Sequence, residues 1–275
     1  MNYHEHELVM SQVNFSKIAR SAGLVFPAEL TATLCVAVAT GTRAFLLEGE
    51  PGTGKTHLGR AFGQACEQLG GGVFFAQMNA ATSDESLIRG VNLAGFVEND
   101  PQNVYSVGAL VRACEMAADV EGPFVAIIDE WDKTRPTADG LLLAALEERV
   151  VVDSAGVKHA DVPSNLIWWI TSNASRPLHG ALLRRVLRLR LDPPAESTLM
   201  ELVWKRGGCG SATAATIVKS GKALRLTLPD MIRIASIAAH ANSVEMCRFV
   251  LRAYIPRGDN HDHGADLWAA VRRDA

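Results

Sequence analysis

Long apolar runs are the first thing this sequence lacks. No stretch reaches the ~18 residues needed to cross a bilayer as a helix, so no membrane partner is expected. The first ten residues, MNYHEHELVM, are too polar and acidic to read as a secretory leader. Cysteine is sparse: Cys35, Cys66, Cys114, Cys209 and Cys247 are odd in number, sit in apolar segments and form no C-x-x-C pair. That pattern excludes a disulfide framework and a zinc ribbon, and predicts reduced core thiols in the cytoplasm. An excess of one charge is missing too, with 27 Lys+Arg against 30 Asp+Glu and a formal charge of -3. A protein that grips nucleic acid mainly through phosphates carries a basic surplus, so nucleic acid is expected at most indirectly. There is no internal repeat and no low-complexity tract.

What is present is an alternation. Short β-rich apolar runs at 44–48, 73–78, 124–129, 166–172 and 186–191 are separated by longer stretches with helical spacing. This predicts an α/β domain over residues 31–191, with a parallel five-stranded sheet flanked by helices. Four runs are apolar on both faces, as strands inside such a sheet are; 186–191 alternates, puts Arg188 and Arg190 on one side, and reads as an edge strand. Residues 1–30 read as a short helical segment ending near Gly23 and Pro27. After Asp192-Pro193-Pro194 the strand pattern stops, and 192–256 reads as a small all-α lid domain broken near Gly207 to Gly210 and at Pro229. Residues 257–275 read as a polar C-terminal tail. His261 and His263 in it, like His4 and His6, lack helical ligand spacing and a third ligand, so they are not expected to hold a metal.

Directly after the first strand comes Gly49-Glu50-Pro51-Gly52-Thr53-Gly54-Lys55-Thr56, followed by His57, which satisfies G-x-x-x-x-G-K-[ST] between a strand and a helix. The glycines let successive backbone N–H groups converge on phosphate oxygens, and the helix adds the positive end of its dipole. Lys55 is expected on the β- and γ-phosphates and the Thr56 hydroxyl on Mg²⁺. The run Phe124-Val-Ala-Ile-Ile-Asp129 ends in two acids. Asp129 is expected in the Mg²⁺ shell, while Glu130 is expected to orient and activate water. Leu166-Ile-Trp-Trp-Ile-Thr-Ser-Asn173 is a further buried run whose polar end falls on the same rim of a parallel sheet, where Asn173 can reach the γ-phosphate or cap a turn.

These residues together resemble the AAA+ ATPases, and within them the MoxR and dynein-related branch. Beyond the phosphate loop the resemblance rests on Asp129-Glu-Trp-Asp-Lys-Thr-Arg-Pro136, Leu141-Leu-Leu-Ala-Ala-Leu-Glu-Glu-Arg149, Ile170-Thr-Ser-Asn173 and Ala181-Leu-Leu-Arg-Arg-Val186. It covers residues 31–191 well and the helical remainder loosely. It implies an ATP-hydrolysing, Mg²⁺-dependent homo-oligomer, a hexameric ring, that acts on a client protein. Asn173 then matches sensor 1, and Arg185 the arginine finger offered to a neighbour's γ-phosphate, with Arg184 as its substitute. Asn79 matches a polar position that restrains the catalytic glutamate. Residues 91–106 and 150–157 match inserted hairpins that face pore or client, although alternation and turn residues alone give plain hairpins. The lid departs from the family: Pro229 is followed by Asp230, which reads as a cap, so sensor 2 is either Arg233 one turn later or absent.

The resemblance implies a MoxR-like chaperone that assembles or remodels a partner complex, and it is also compatible with a McrB-like motor of a nucleic-acid-processing or antiviral complex. A P-loop kinase must exclude the water that Glu130 would activate. A GTPase would carry Asn-Lys-x-Asp, which is absent, leaving ATP as the expected nucleotide.

Overall fold

The computed structural model describes residues 28–91, 105–224, 226–252, 254, 255, 259 and 261–274. Most of the expected N-terminal segment lies outside them; its end is the start of α1 (Ala28–Ala39). Two compact units emerge, one over 54–191 with the residues up to Glu50, the other comprising Pro51 to Thr53 and Asp192 to Ala275.

The N-terminal unit is built on five parallel strands in the order β2-β5-β8-β1-β9. These are β1 (Ala44–Glu48), β2 (Gly72–Gln77), β5 (Phe124–Asp129), β8 (Leu166–Ser172) and β9 (Leu187–Arg190). The three inner strands are almost wholly buried because both faces are covered. Period-two alternation sends Phe45, Leu47, Val125, Ile127, Ile167 and Trp169 towards α1 and α2 (Lys55–Glu67). Leu46, Ala126, Ile128, Trp168 and Ile170 go the other way, against α3 (Asp84–Ile88), α4 (Ala109–Ala118) and α5 (Ala138–Glu147). Helix α2 lies close on the sheet because Gly59 and Gly63 have no side chain; a Cβ on Gly59 would stand 2.6 Å from Trp169 Nε1. Trp169 in turn stacks on Phe62 at 5.2 Å between ring centroids.

The expected edge strand, β9, is an edge. The opposite edge corrects the sequence reading: β2 is not buried on both faces, and Phe75 and Gln77 are exposed, with Arg60 4.4 Å above the Phe75 ring. Two antiparallel hairpins branch off, β3 (Arg89–Val91) with β4 (Tyr105–Val107) and β6 (Val150–Val152) with β7 (Lys158–Asp161). Residues 92–104, in the first expected insertion, lie outside the described set.

The C-terminal unit is helical: α7 (Glu196–Gly207), α8 (Ser211–Ala223), α9 (Leu228–Ala238), α10 (Val244–Arg252) and α11 (His263–Asp274). Its core gathers Val203, Ile217, Val218, Ile234, Ala235, Cys247 and Leu267. Pro229 opens α9, and Asp230 closes a capping box with Thr227. The segment read as a polar tail is corrected: it carries α11, whose Leu267 and Ala270 are buried and whose Asp274 accepts the N–H groups of Ala212 and Thr213 at the start of α8. His263 is buried, between Ser220 and Asp259. Sequence periodicity missed this helix because His, Gly and Asp dominate its first turn and the loop before it.

Cys66, Cys114, Cys209 and Cys247 are buried thiols and Cys35 is half-buried. Burial pushes the Cys114 thiol up to about 12. Among the described residues no helix is long and apolar enough to cross a membrane.

Candidate nucleotide site

Parallel pairing brings the carboxyl ends of four strands to one rim. Glu48 pairs with Ser172, and Gln77 with Asp129. The loop after β1 turns through left-handed glycines, Gly52 at φ 83° and Gly54 at φ 95°, the second being the N-cap of α2. A side chain at either position would strain the turn. Lys55, only 6% exposed, donates to the carbonyls of Gly49 and Glu50 at 2.8 Å each. Burial lowers its pKa from the ordinary lysine value, and the nearby carboxylates of Asp129, Asp132 and Glu130 oppose that shift. A buried ammonium held by two neutral carbonyls is a group that polyphosphate can take over.

The Thr56 hydroxyl donates to Asp129 Oδ1 at 2.5 Å, and Thr171 donates to the same oxygen at 2.8 Å. Thr171 also accepts the backbone N–H of Glu130 at 2.9 Å. The hydroxyl and carboxylate oxygens thus converge as a hard-oxygen pair of the kind Mg²⁺ takes, so Thr56 and Asp129 fit that ion. Glu130 stands at φ 57°, a left-handed conformation for a residue with a Cβ. Its carboxylate is held on both sides, Oε1 by Asn173 Nδ2 at 2.9 Å and Oε2 by Gln77 Nε2 at 3.1 Å. Asp132 anchors the loop that carries Asn173, accepting the N–H of Asn173 at 3.2 Å, the N–H of Ser175 at 2.8 Å and the Ser175 hydroxyl at 2.5 Å. Burial opposes the charge on Asp132, yet these bonds outweigh it and hold the carboxyl below its ordinary value. Such an arrangement can cradle a triphosphate and place one carboxylate, restrained by two amides, beside it.

The sequence reading thus finds Lys55, Thr56, Asp129, Glu130 and Asn173 together. It missed Thr171, Asp132 and Gln77. The glutamate's restraint is corrected from Asn79 to Gln77: the Asn79 side chain instead accepts the N–H of Ala81 at 2.8 Å within a turn. Strand register would have found Gln77, since it pairs with Asp129. Arg184 and Arg185 are not at this rim. They follow α6 (Gly180–Leu183) and line a cavity of about 510 Å³ with Arg43, Ala44, Leu166 and Leu187, at the amino ends of β1, β8 and β9. A five-residue strand such as β1 spans roughly 16 Å, so these arginines stand away from Glu130 of their own subunit. Arg233 is exposed on α9 in the other unit.

The parallel order, the phosphate loop after β1 and the acidic pair after β5 define a P-loop nucleotide-binding fold. A family profile of the AAA domain, dynein-related subfamily, matches residues 44–190, and the chain belongs to that family of ATPase domains. No curated protein matches the chain.

Proposed function

We propose that the chain hydrolyses ATP as a ring of identical subunits, hexameric as in the MoxR-like chaperones it resembles, and uses the ring's motion to remodel or assemble a partner protein complex. The observation that carries this reading is Glu130, strained and held between Asn173 and Gln77 beside the Lys55, Thr56 and Asp129 cluster. Residues 49–57 bind the nucleotide, with the loop N–H groups and Lys55 on the phosphates. Thr56 and Asp129 would hold Mg²⁺, which would supply positive charge against the phosphates. Asn173 and Glu130 position a water against the γ-phosphorus. Glu130 accepts its proton as the new P–O bond forms and the bond to the β-phosphate oxygen breaks, leaving ADP and phosphate. Arg185, or Arg184 in its place, serves the neighbouring subunit's γ-phosphate, which suits its distance from its own rim. The β3–β4 and β6–β7 hairpins are assigned to face the client.

The test is a triad of variants. Lys55→Ala abolishes ATP binding, and unchanged affinity by calorimetry would remove the phosphate-loop assignment. Glu130→Gln keeps binding but slows hydrolysis at least ~100-fold, the range for losing a general base. Arg185→Ala alone is slowed by ~10³- to 10⁵-fold, and mixing it with Lys55→Ala restores turnover. Mixed rings that stay inactive would sink the shared-site mechanism.

A further inference from the structure

Two adjacent arginines, Arg184 and Arg185, are exposed at the end of α6, and the family resemblance puts Arg185 first with Arg184 as its substitute. The structure separates them as well. Arg185 Nη2 donates to Glu147 Oε1 at 2.7 Å and Nη1 to the Ala181 carbonyl at 3.4 Å, so two separate acceptors fix the guanidinium plane. Among the described residues the Arg184 side chain has no hydrogen bond or ion pair, and only its backbone N–H donates, to the Ala181 carbonyl. Glu147 is the last residue of α5, where the aligned carbonyls disfavour a carboxylate, and no basic residue lies in that turn. Helix stability therefore does not explain it. Nor does global stability, because the two side chains are 33% and 49% exposed and such pairs add little. Helix α5 itself is a firm platform: Ala138, Leu141, Leu142 and Ala145 are buried, and Asp139 near its start is tied to Trp131 and Arg176.

We infer that Glu147 is a positioning residue that holds the Arg185 guanidinium ready for the neighbouring subunit's nucleotide, a role that rests on the reading of Arg185 above. Without Glu147 the arginine must be immobilised anew in each transition state. Fixing one rotamer-rich side chain corresponds to roughly 10- to 30-fold in rate. Glu147→Ala should therefore lower kcat by that factor while ATP affinity, KM and ring size stay at wild-type values.

The decisive measurement is complementation at a protein concentration where rings form. The defect of Glu147→Ala lies in the half-site that also holds Arg185, so mixing with Lys55→Ala unites an intact phosphate loop with an intact finger at about one interface in four. Turnover then rises above that of either variant alone. Mixing Glu147→Ala with Arg185→Ala should give no recovery beyond the average of the two. Wild-type kcat for Glu147→Ala, recovery with Arg185→Ala, or no recovery with Lys55→Ala would each overturn the inference. An Arg185→Ala and Lys55→Ala mixture run alongside separates the causes. If that pair recovers and the Glu147 pair does not, only the positioning role falls. If neither recovers, the shared site falls with it.

Discussion

Replacing Asp139 by alanine is expected to destabilise the N-terminal unit by about 3–5 kcal/mol, the cost of leaving one partner of a buried ion pair alone. Asp139 is 2% exposed and accepts four hydrogen bonds: Arg176 Nη2 at 2.7 Å and Nη1 at 3.0 Å, Trp131 Nε1 at 2.8 Å, and the His179 N–H at 2.8 Å. Arg176 keeps other acceptors, the carbonyl and hydroxyl of Thr134, so its charge is not stripped of every partner. The buried Trp131 indole N–H loses its acceptor, at ~1–3 kcal/mol for a buried donor left unmade, whereas the N–H of exposed His179 can turn to water. Against a typical stability of about 5–15 kcal/mol the loss is large. Urea unfolding followed by tryptophan fluorescence reads it, with Trp131 at the centre of the network. The paired change Asp139→Leu with Arg176→Met removes both charges and should recover about half of the loss, the rest staying with Trp131. A loss under ~1 kcal/mol for Asp139→Ala, or strict additivity of the two single changes, would refute the argument from buried pairing.

Three further outcomes follow from the same structure. Gly59→Val should cost ~1–3 kcal/mol by forcing α2 off Trp169, and an unchanged melting temperature would contradict the close packing. Glu130→Gly removes left-handed strain worth roughly 1–2 kcal/mol, so its stability should equal or exceed wild type while hydrolysis is lost; clear destabilisation would show that the bonds to Gln77 and Asn173 outweigh the strain. Asp132 and Asp139 both have folded-state pKa values below the ordinary carboxylate value, despite the opposing effect of burial. Stability from a depressed carboxyl is full above its unfolded pKa of about 3.9 and is lost as pH falls through the lower folded value, so acid unfolding should steepen below ~pH 4 and become shallower in Asp139→Ala.

The fold was legible in the sequence where burial is two-sided. The runs that became β1, β5 and β8 are apolar on both faces up to their carboxyl ends, where Glu48, Asp129, Thr171 and Ser172 turn polar, and that pattern marks them as inner strands. It was less legible at the edges. Nothing in Val73-Phe-Phe-Ala-Gln77 shows that one face meets solvent, because a strand's neighbours decide its exposure and sheet order is a tertiary property. Helix α11 was hidden for a related reason. Its stability comes from packing Leu267 and Ala270 in the C-terminal core and from Asp274 capping α8, and neither contact is local in sequence.

The site divides along the same line. Lys55, Thr56, Asp129 and Glu130 belong to contiguous motifs whose chemistry dictates residue type at fixed spacing, so the chain alone reveals them. Gln77, Thr171 and Asp132 act across strands, and their role depends on register. Gln77 reaches Glu130 because it pairs with Asp129, one residue before the glutamate, whereas Asn79 has passed the strand's end and turned away. Thr171 bridges Asp129 and the Glu130 amide because β8 lies beside β5, and that amide bond stands at the residue where the backbone takes its strained turn. A left-handed glutamate is tolerated only where surrounding bonds over-determine it. Here the Thr171 hydroxyl holds its backbone while Asn173 and Gln77 hold its carboxylate, so the residue proposed to activate water is fixed at both ends.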